Sequence, residues 1–150
     1  VFLPCYIERR RWSDRAKSIA HPLFDGYLFC HLAEDTAGKI VTAPGVVRIV
    51  GDGRGPLAVP EHEIEAIQRI VETRLHAEPW TFVQAGQCVR IEHGPLRGIE
   101  GVVVVAKNSR RLVISIQLLR RSVAVEIDGD WISIPPNALI ASEMIEKPGA

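Results

Sequence analysis

Apolar residues follow two rhythms along this chain, and the rhythm changes near Gly86. Beyond that point they mostly alternate. Val89 and Ile91 interleave with Cys88, Arg90 and Glu92, and Val102 to Val105 is wholly apolar. Leu112, Ile114, Ile116 and Leu118 alternate with less consistently polar partners, and Val123, Val125 and Ile127 alternate with Ala124 and Glu126. A period of two puts successive side chains on opposite faces, so these runs predict short strands. Gly94-Pro95, Asn108-Ser109 and Arg120-Arg121 supply the breaks between them. A fifth strand at Trp131 to Ile134 would close a small barrel and hide the edges an open sheet exposes.

Upstream the pattern is mixed. Val1 to Ile7 reads as a strand, and a basic turn from Glu8 to Lys17 follows it. Leu23 to Leu32 is apolar and aromatic enough for a buried strand, Asp35 to Val41 reads as a short helix holding Gly38, and Val46 to Val50 is a β-branched strand closed by Gly51, Gly53 and Gly55. Pro60 then opens a longer helix. Its fixed φ suits a first turn, Glu61 and Glu63 favour the helix N-terminus, and Ile64, Ile67, Ile70 and Val71 recur on one face. This helix is predicted to end before Pro79. Leu75 to Ala85 reads as a linker, with Trp80 and Phe82 packing the entry to the second module. The expected organisation is residues 1–74, a linker over 75–85, a barrel over 86–136 and a tail over 137–150.

Composition narrows the function. At 150 residues and 47% hydrophobic, the chain can bury one modest core or two small ones. Its 18 basic residues balance 18 acidic ones, so no global field holds it on nucleic acid and any such contact must be local. Cys5, Cys30 and Cys88 are odd in number and lack metal-ligand spacing, which suits reduced core thiols in a cytoplasmic protein. No run of about 18 apolar residues spans a bilayer, and no signal-peptide pattern opens the chain. Val1 is no initiator residue, so an upstream segment is expected to have been removed.

Catalysis finds no support. The histidines are scattered, Asp14, Asp25, Glu34 and Asp35 form no metal motif, and the glycines at Gly51 to Gly55 lack the lysine of a phosphate loop. A binding protein with no cofactor and no metal is expected. The densest charge lies at Glu8 to Lys17, where Arg9, Arg10, Arg11, Arg15 and Lys17 outnumber Glu8 and Asp14 by three. Two readings stand: guanidinium groups holding phosphates with Trp12 stacked on an unpaired base, or a solvated loop partly neutralised by its own carboxylates. Arg110, Arg111, Arg120 and Arg121 read as turn charges that aid solubility or meet a ribosomal partner.

Three segments carry a resemblance. Pro22-Leu-Phe-Asp-Gly-Tyr-Leu-Phe29, Thr42-Ala-Pro-Gly-Val-Val-Arg-Ile-Val-Gly51 and Gly94-Pro-Leu-Arg-Gly-Ile-Glu-Gly101 occur in this order. They resemble the Pro-Leu-Phe-Pro-Gly-Tyr strand, the Thr-Pro-Gly-Val-Val strand and the KOW motif of the NusG family of transcription elongation factors. The resemblance implies an α+β chain: an NGN-like antiparallel sheet with flanking helices, its first strand and helix missing, then a small SH3-like KOW barrel. It implies RNA polymerase as partner, its β′ clamp helices gripped through Phe24, Tyr27, Phe29, Pro44, Val46 and Ile49; Val47 matches the same surface, but Leu28 and Val47 alternate with their neighbours, and that alternation reads as core filling. It places contacts with upstream or nontemplate DNA at Arg9, Arg10, Arg11, Trp12 and Arg15. The barrel would offer Leu96, Ile99, Leu119 and Arg120 to a small-subunit ribosomal protein or to Rho. Asp25 stands where the family has proline, and Leu118, Leu119 and Arg120 where it often has Phe-Gly-Arg. The Arg9 to Arg15 run and the Leu118 to Ile127 stretch resemble specialised paralogues of the UpxY/RfaH type that serve long operons. The alternative is a ribosomal or RNA-binding KOW protein, which needs neither upstream segment and is normally strongly basic.

Overall fold

In the computed structural model, which describes residues 1–83, 86, 88–106, 108–133 and 140–141, strands β1 (Cys5–Trp12) and β2 (Arg15–Pro22) come first, then helices α1 (Ala37–Val41) and α2 (Glu61–Thr73). Strands β3 (Ala77–Trp80), β4 (Cys88–Arg90), β5 (Glu100–Ala106), β6 (Ser109–Ile116), β7 (Arg121–Ile127) and β8 (Ile140–Ala141) complete the chain. The architecture is α+β. A two-stranded hairpin and two helices precede one larger sheet of order β3-β7-β6-β5-β4, antiparallel throughout, with β8 added in parallel to β5.

The larger sheet follows directly from the alternation. Leu112 lies opposite Val125 and Ile114 opposite Val123, so one face collects residues at most 4% exposed. Ile91, Leu96, Ile99 and Ile132 close over that face together with Ala66, Ile67 and Ile70 of α2. Each fully buried aliphatic side chain there contributes roughly 1.5–3 kcal/mol. The second face carries Trp80, Val104, Ala106, Val113 and Ala124 as a separate apolar cluster. Arg120, at φ 50°, turns the chain from β6 into β7, and its N–H donates to the Gln117 carbonyl at 3.2 Å.

Helix α2 behaves as its pattern predicts, with its apolar face inward and a left-handed stop at Arg74, φ 55°. Two polar contacts tie it to the sheet: the Gln117 N–H donates to Glu63 Oε2 at 3.4 Å, and Arg69 Nη1 donates to the Arg97 carbonyl at 2.6 Å.

Several expectations are corrected. The linker over 75–85 contains β3, an edge strand paired with β7 from Ala77 to Trp80. It takes the place expected for a strand at Trp131. That residue instead ends a 3-10 turn over Gly129–Trp131, and its carbonyl accepts the N–H groups of Glu92 and His93 at 2.8 and 3.3 Å. Ile134 and most of the 137–150 tail lie outside the described residues. The basic turn at Glu8 to Lys17 is itself strand, closed by the two-residue turn Ser13-Asp14. The segment Leu23 to Leu32 is no strand. Gly26, at φ 81°, folds it back, the Tyr27 N–H donates to the Phe24 carbonyl at 3.0 Å, and Phe29 meets Phe2 in an isolated bridge. Val46 to Val50 likewise follows a turn at Gly45, φ 89°, and lies beside no strand among the described residues. Of the cysteines expected in the core, Cys88 is exposed and Cys5 and Cys30 are half-buried; all three are free thiols.

Candidate interaction surfaces

The hairpin register sorts the basic residues onto two faces. Arg10 lies opposite Lys17 and Trp12 opposite Arg15, so these four share one face, with Glu8 and Ile19 below them. Arg9 and Arg11 lie opposite Ser18 and Ala16 on the other face. The sequence groups Arg9, Arg10, Arg11, Trp12 and Arg15 as one set; the pleat divides them. Glu8 Oε2 accepts from Arg10 Nε at 3.2 Å and lies 3.1 Å from His21 Nε2. Arg9, Arg11, Arg15 and Lys17 have no ion pair among the described residues. Trp12 is 58% exposed, and a shallow open depression at the hairpin tip is lined by Arg11, Trp12, Ser13, Asp14, Arg15 and Ala16.

The aromatic segment divides differently from expectation. Phe24 is 1% exposed, its ring edge-on to Phe29 with centroids 5.6 Å apart, and it belongs to the main core. It is not a surface contact, because the turn at Gly26 drives it inward beside Leu23. Tyr27 and Phe29 are half-buried, Val46 and Ile49 are half-buried, and Pro44 is exposed. Leu28 and Val47, expected to fill the core, are 50% and 91% exposed. The expected alternation is out of phase because neither segment joins a ladder that would fix which side chain faces inward.

On the C-terminal sheet, Leu96 and Ile99 are 0% and 7% exposed and pack in the main core. They therefore form no exposed patch. The turn that carries them folds over the sheet, with the Ile91 N–H donating to the Ile99 carbonyl at 2.9 Å and the Gly98 N–H to the Ile91 carbonyl at 2.8 Å. Leu119 is half-buried against the same core, and Arg120 is exposed with its guanidinium 5.1 Å from the Phe82 ring centre.

Arg111 is no turn charge either. It lies within β6, pairs with Glu78, and sits 5.3 Å over the Trp80 ring. Residues 33 apart in sequence gave no sign of this pair; only the β3-β7-β6 order brings them together. Removing one partner of such a covered pair costs about 3–5 kcal/mol.

Burial raises the Glu63 carboxyl above its ordinary range, against smaller lowering effects of the Gln117 N–H and nearby His62. Among the described residues no cluster of three or more His, Cys, Asp or Glu could hold a metal. No helix among them is long and apolar enough to cross a membrane.

Comparison with known proteins bears on these surfaces. Residues 1–68 match the family model described as "Transcription termination factor nusG". The chain is similar to the "Transcription termination/antitermination protein NusG" of Campylobacter jejuni, with 30% identity over 118 residues, covering 77% of this chain and 67% of the relative. The Escherichia coli K12 protein of the same description is 28% identical over 123 residues, 79% of this chain and 67% of the relative. That of Helicobacter pylori is 27% identical over 117 residues, 76% of this chain. This chain spans 66% of the length of that relative, about two thirds. No solved structure matches the chain. With identity at that level to relatives of which it covers two thirds, the chain belongs to the NusG family.

Proposed function

We propose that this protein is a noncatalytic transcription termination or antitermination factor that binds RNA polymerase through residues 1–74 and presents the C-terminal sheet to a second partner. The observation that carries this is the family match over residues 1–68, which covers the hairpin, the aromatic segment and the Val46 to Val50 run. These also hold the exposed apolar side chains Ile7, Leu28 and Val47. Apolar area of this kind, beside half-buried aromatics, suits a protein contact. The polymerase β′ clamp helices are the proposed target. Tyr27, Phe29, Pro44, Val46 and Ile49 form the grip, widened by Leu28 and Val47, with Phe24 supporting it from the core.

The hairpin cations and Trp12 are proposed to meet upstream or nontemplate nucleic acid. For the C-terminal sheet, a small-subunit ribosomal protein or Rho is the proposed partner, met at Leu119 and Arg120. In this reading the chain is a specialised paralogue, on the strength of the Arg9 to Arg15 run.

Retention of RNA polymerase by the tagged chain in cell extract tests the reading. Tyr27→Ala and Val47→Asp are each expected to weaken retention about tenfold or more, as for interface hot spots, without lowering the melting temperature. Unchanged retention in both, by a folded protein, would remove the surface from consideration.

A further inference from the structure

We propose that β3 is a displaceable strap: Ala77–Trp80 docks on the edge of β7 that faces away from β6, is clasped there by Arg111, and detaches as a unit while the rest of the sheet stays folded. Release uncovers that edge. The segment joining the two regions of the chain thereby decides whether the C-terminal sheet is closed on this side.

The register defines the clasp. Glu78 lies opposite Ala124 and Trp80 opposite Ser122 on β7, while Arg111 of β6 lies opposite Glu126. All of these side chains share one face of the sheet. Arg111 stands two strands from β3, about 9–10 Å away, and reaches it across Ala124, whose side chain is only a methyl group. There it pairs with Glu78 and lies over the Trp80 ring. A carboxylate and an indole two residues apart thus meet one guanidinium, and just beyond them the Val83 N–H donates to Ser122 Oγ at 3.4 Å.

Little else holds the strap. The His76 carbonyl accepts from the Glu126 N–H at 3.0 Å, and ladder bonds recur at every second residue, so Glu78 and Trp80 face β7 while Pro79 faces outward, where its missing N–H costs no bond. Of the four β3 side chains, only that of Ala77 joins the main core. Docking is also opposed. Trp80 Nε1 and Arg111 Nε are buried without a hydrogen-bond partner among the described residues, and a covered ion pair loses much of its attraction to the hydration given up. Release returns these groups to water. β6, by contrast, is paired on both sides and buries Leu112, Ile114 and Ile116 in the main core, so the sheet persists without β3.

A labelled peptide with the sequence of residues 74–82, added to the full chain and followed by fluorescence anisotropy, tests this. A docked strap excludes the peptide, whose apparent affinity falls with the fraction of molecules that are open. Glu78→Ala with Trp80→Ala weakens the chain's own strap and leaves Arg111 and β7 intact, so the peptide should bind this variant at least about tenfold more tightly than the parent. Adding Arg111→Met should abolish the gain, and a peptide with alanine at both clasp positions should show none. Hydrogen exchange reads the parent directly: the N–H groups of Ala124 and Glu126, which face β3, should exchange at least about tenfold faster than those of Val113 and Ile114 in the centre of the sheet. Loss of the cooperative urea transition in the doubly substituted variant would make β3 an integral strand and overturn the proposal. Equal peptide binding by parent and variant, a gain that survives Arg111→Met, or exchange of all four N–H groups at one rate would overturn it as well.

Discussion

The C-terminal sheet and the N-terminal segments draw on similar residues and end in different structures. Val102 to Val105, Leu112 to Ile116 and Val123 to Ile127 become laddered strands, whereas Leu23 to Leu32, apolar and aromatic, and Val46 to Val50, as β-branched as they are, remain turns and extended loop. The difference is partnership. The first two of these runs end in tight turns that bring the next run alongside, at Asn108, φ 62°, between β5 and β6 and at Arg120, φ 50°, between β6 and β7, and β7 also pairs with β3. The N-terminal runs are broken from within, at Gly26, or flanked by a turn with no strand beside them among the described residues. Strand propensity is a preference for a pleated, half-buried surface, and without a neighbouring edge it does not create one.

Paired substitutions break this comparison most forcefully where burial differs most. Leu96→Asp with Ile99→Asp should unfold the C-terminal sheet, because two unpaired carboxylates in that core cost on the order of 5 kcal/mol or more against a stability of about 5–15. Leu28→Asp, at a half-exposed position, should cost no more than about 0.5 kcal/mol. Far-UV circular dichroism and urea midpoints read both. A folded protein with an unshifted midpoint after the paired Leu96→Asp and Ile99→Asp changes would mean the turn opens outward.

That contrast also bounds what could be read in the sequence. Period two identified β6 and β7, an unbroken apolar run marked β5, and the apolar stripe with Pro60 and two early glutamates identified α2 nearly to its ends. β3 escaped because Ala77-Glu78-Pro79-Trp80 carries a proline and has no apolar alternation; it is a strand by virtue of β7. The hairpin strands were hidden under charge, since five basic residues look like a loop until pairing assigns them to faces. The candidate contacts were legible as residue types and illegible as exposures. Phe24, Leu96 and Ile99 are buried, and Leu28 and Val47 are not, because inward and outward are set by register, which only tertiary pairing determines.

Two glycines sharpen the comparison at smaller cost. Gly26 and Gly94 share nearly the same left-handed φ, 81° and 86°, so alanine costs about 1–2 kcal/mol in either from backbone strain. A Cβ at Gly26 would meet nothing within 4 Å, whereas one at Gly94 would lie 2.6 Å from the Trp131 ring. Gly94→Ala should therefore cost about 1–3 kcal/mol more than Gly26→Ala, with Trp131 emission shifting as the ring is displaced. Equal costs would show that the Trp131 ring moves aside freely.

The smallest effect lies at the joint between the two regions, where Glu63 of α2 meets the Gln117 N–H beyond β6. Burial raises the Glu63 pKa in the folded chain, and the Gln117 N–H and His62 only partly oppose it. A raised folded pKa means the folded state holds the proton more tightly than the unfolded one. The resulting stability is fully present below the ordinary carboxylate range and is lost as pH rises through the folded value. At neutral pH the joint then contains a poorly solvated anion with one long hydrogen bond. Glu63→Gln keeps a carbonyl oxygen for Gln117 and removes the charge, so it should stabilise the protein at pH 7 by no more than about 1 kcal/mol, with the gain vanishing in acid. Urea midpoints at several pH values measure this. A Glu63→Gln variant less stable than its parent at pH 7 would mean that the charge-assisted bond to Gln117 outweighs desolvation, and that the anion holds α2 onto the sheet instead of loosening it.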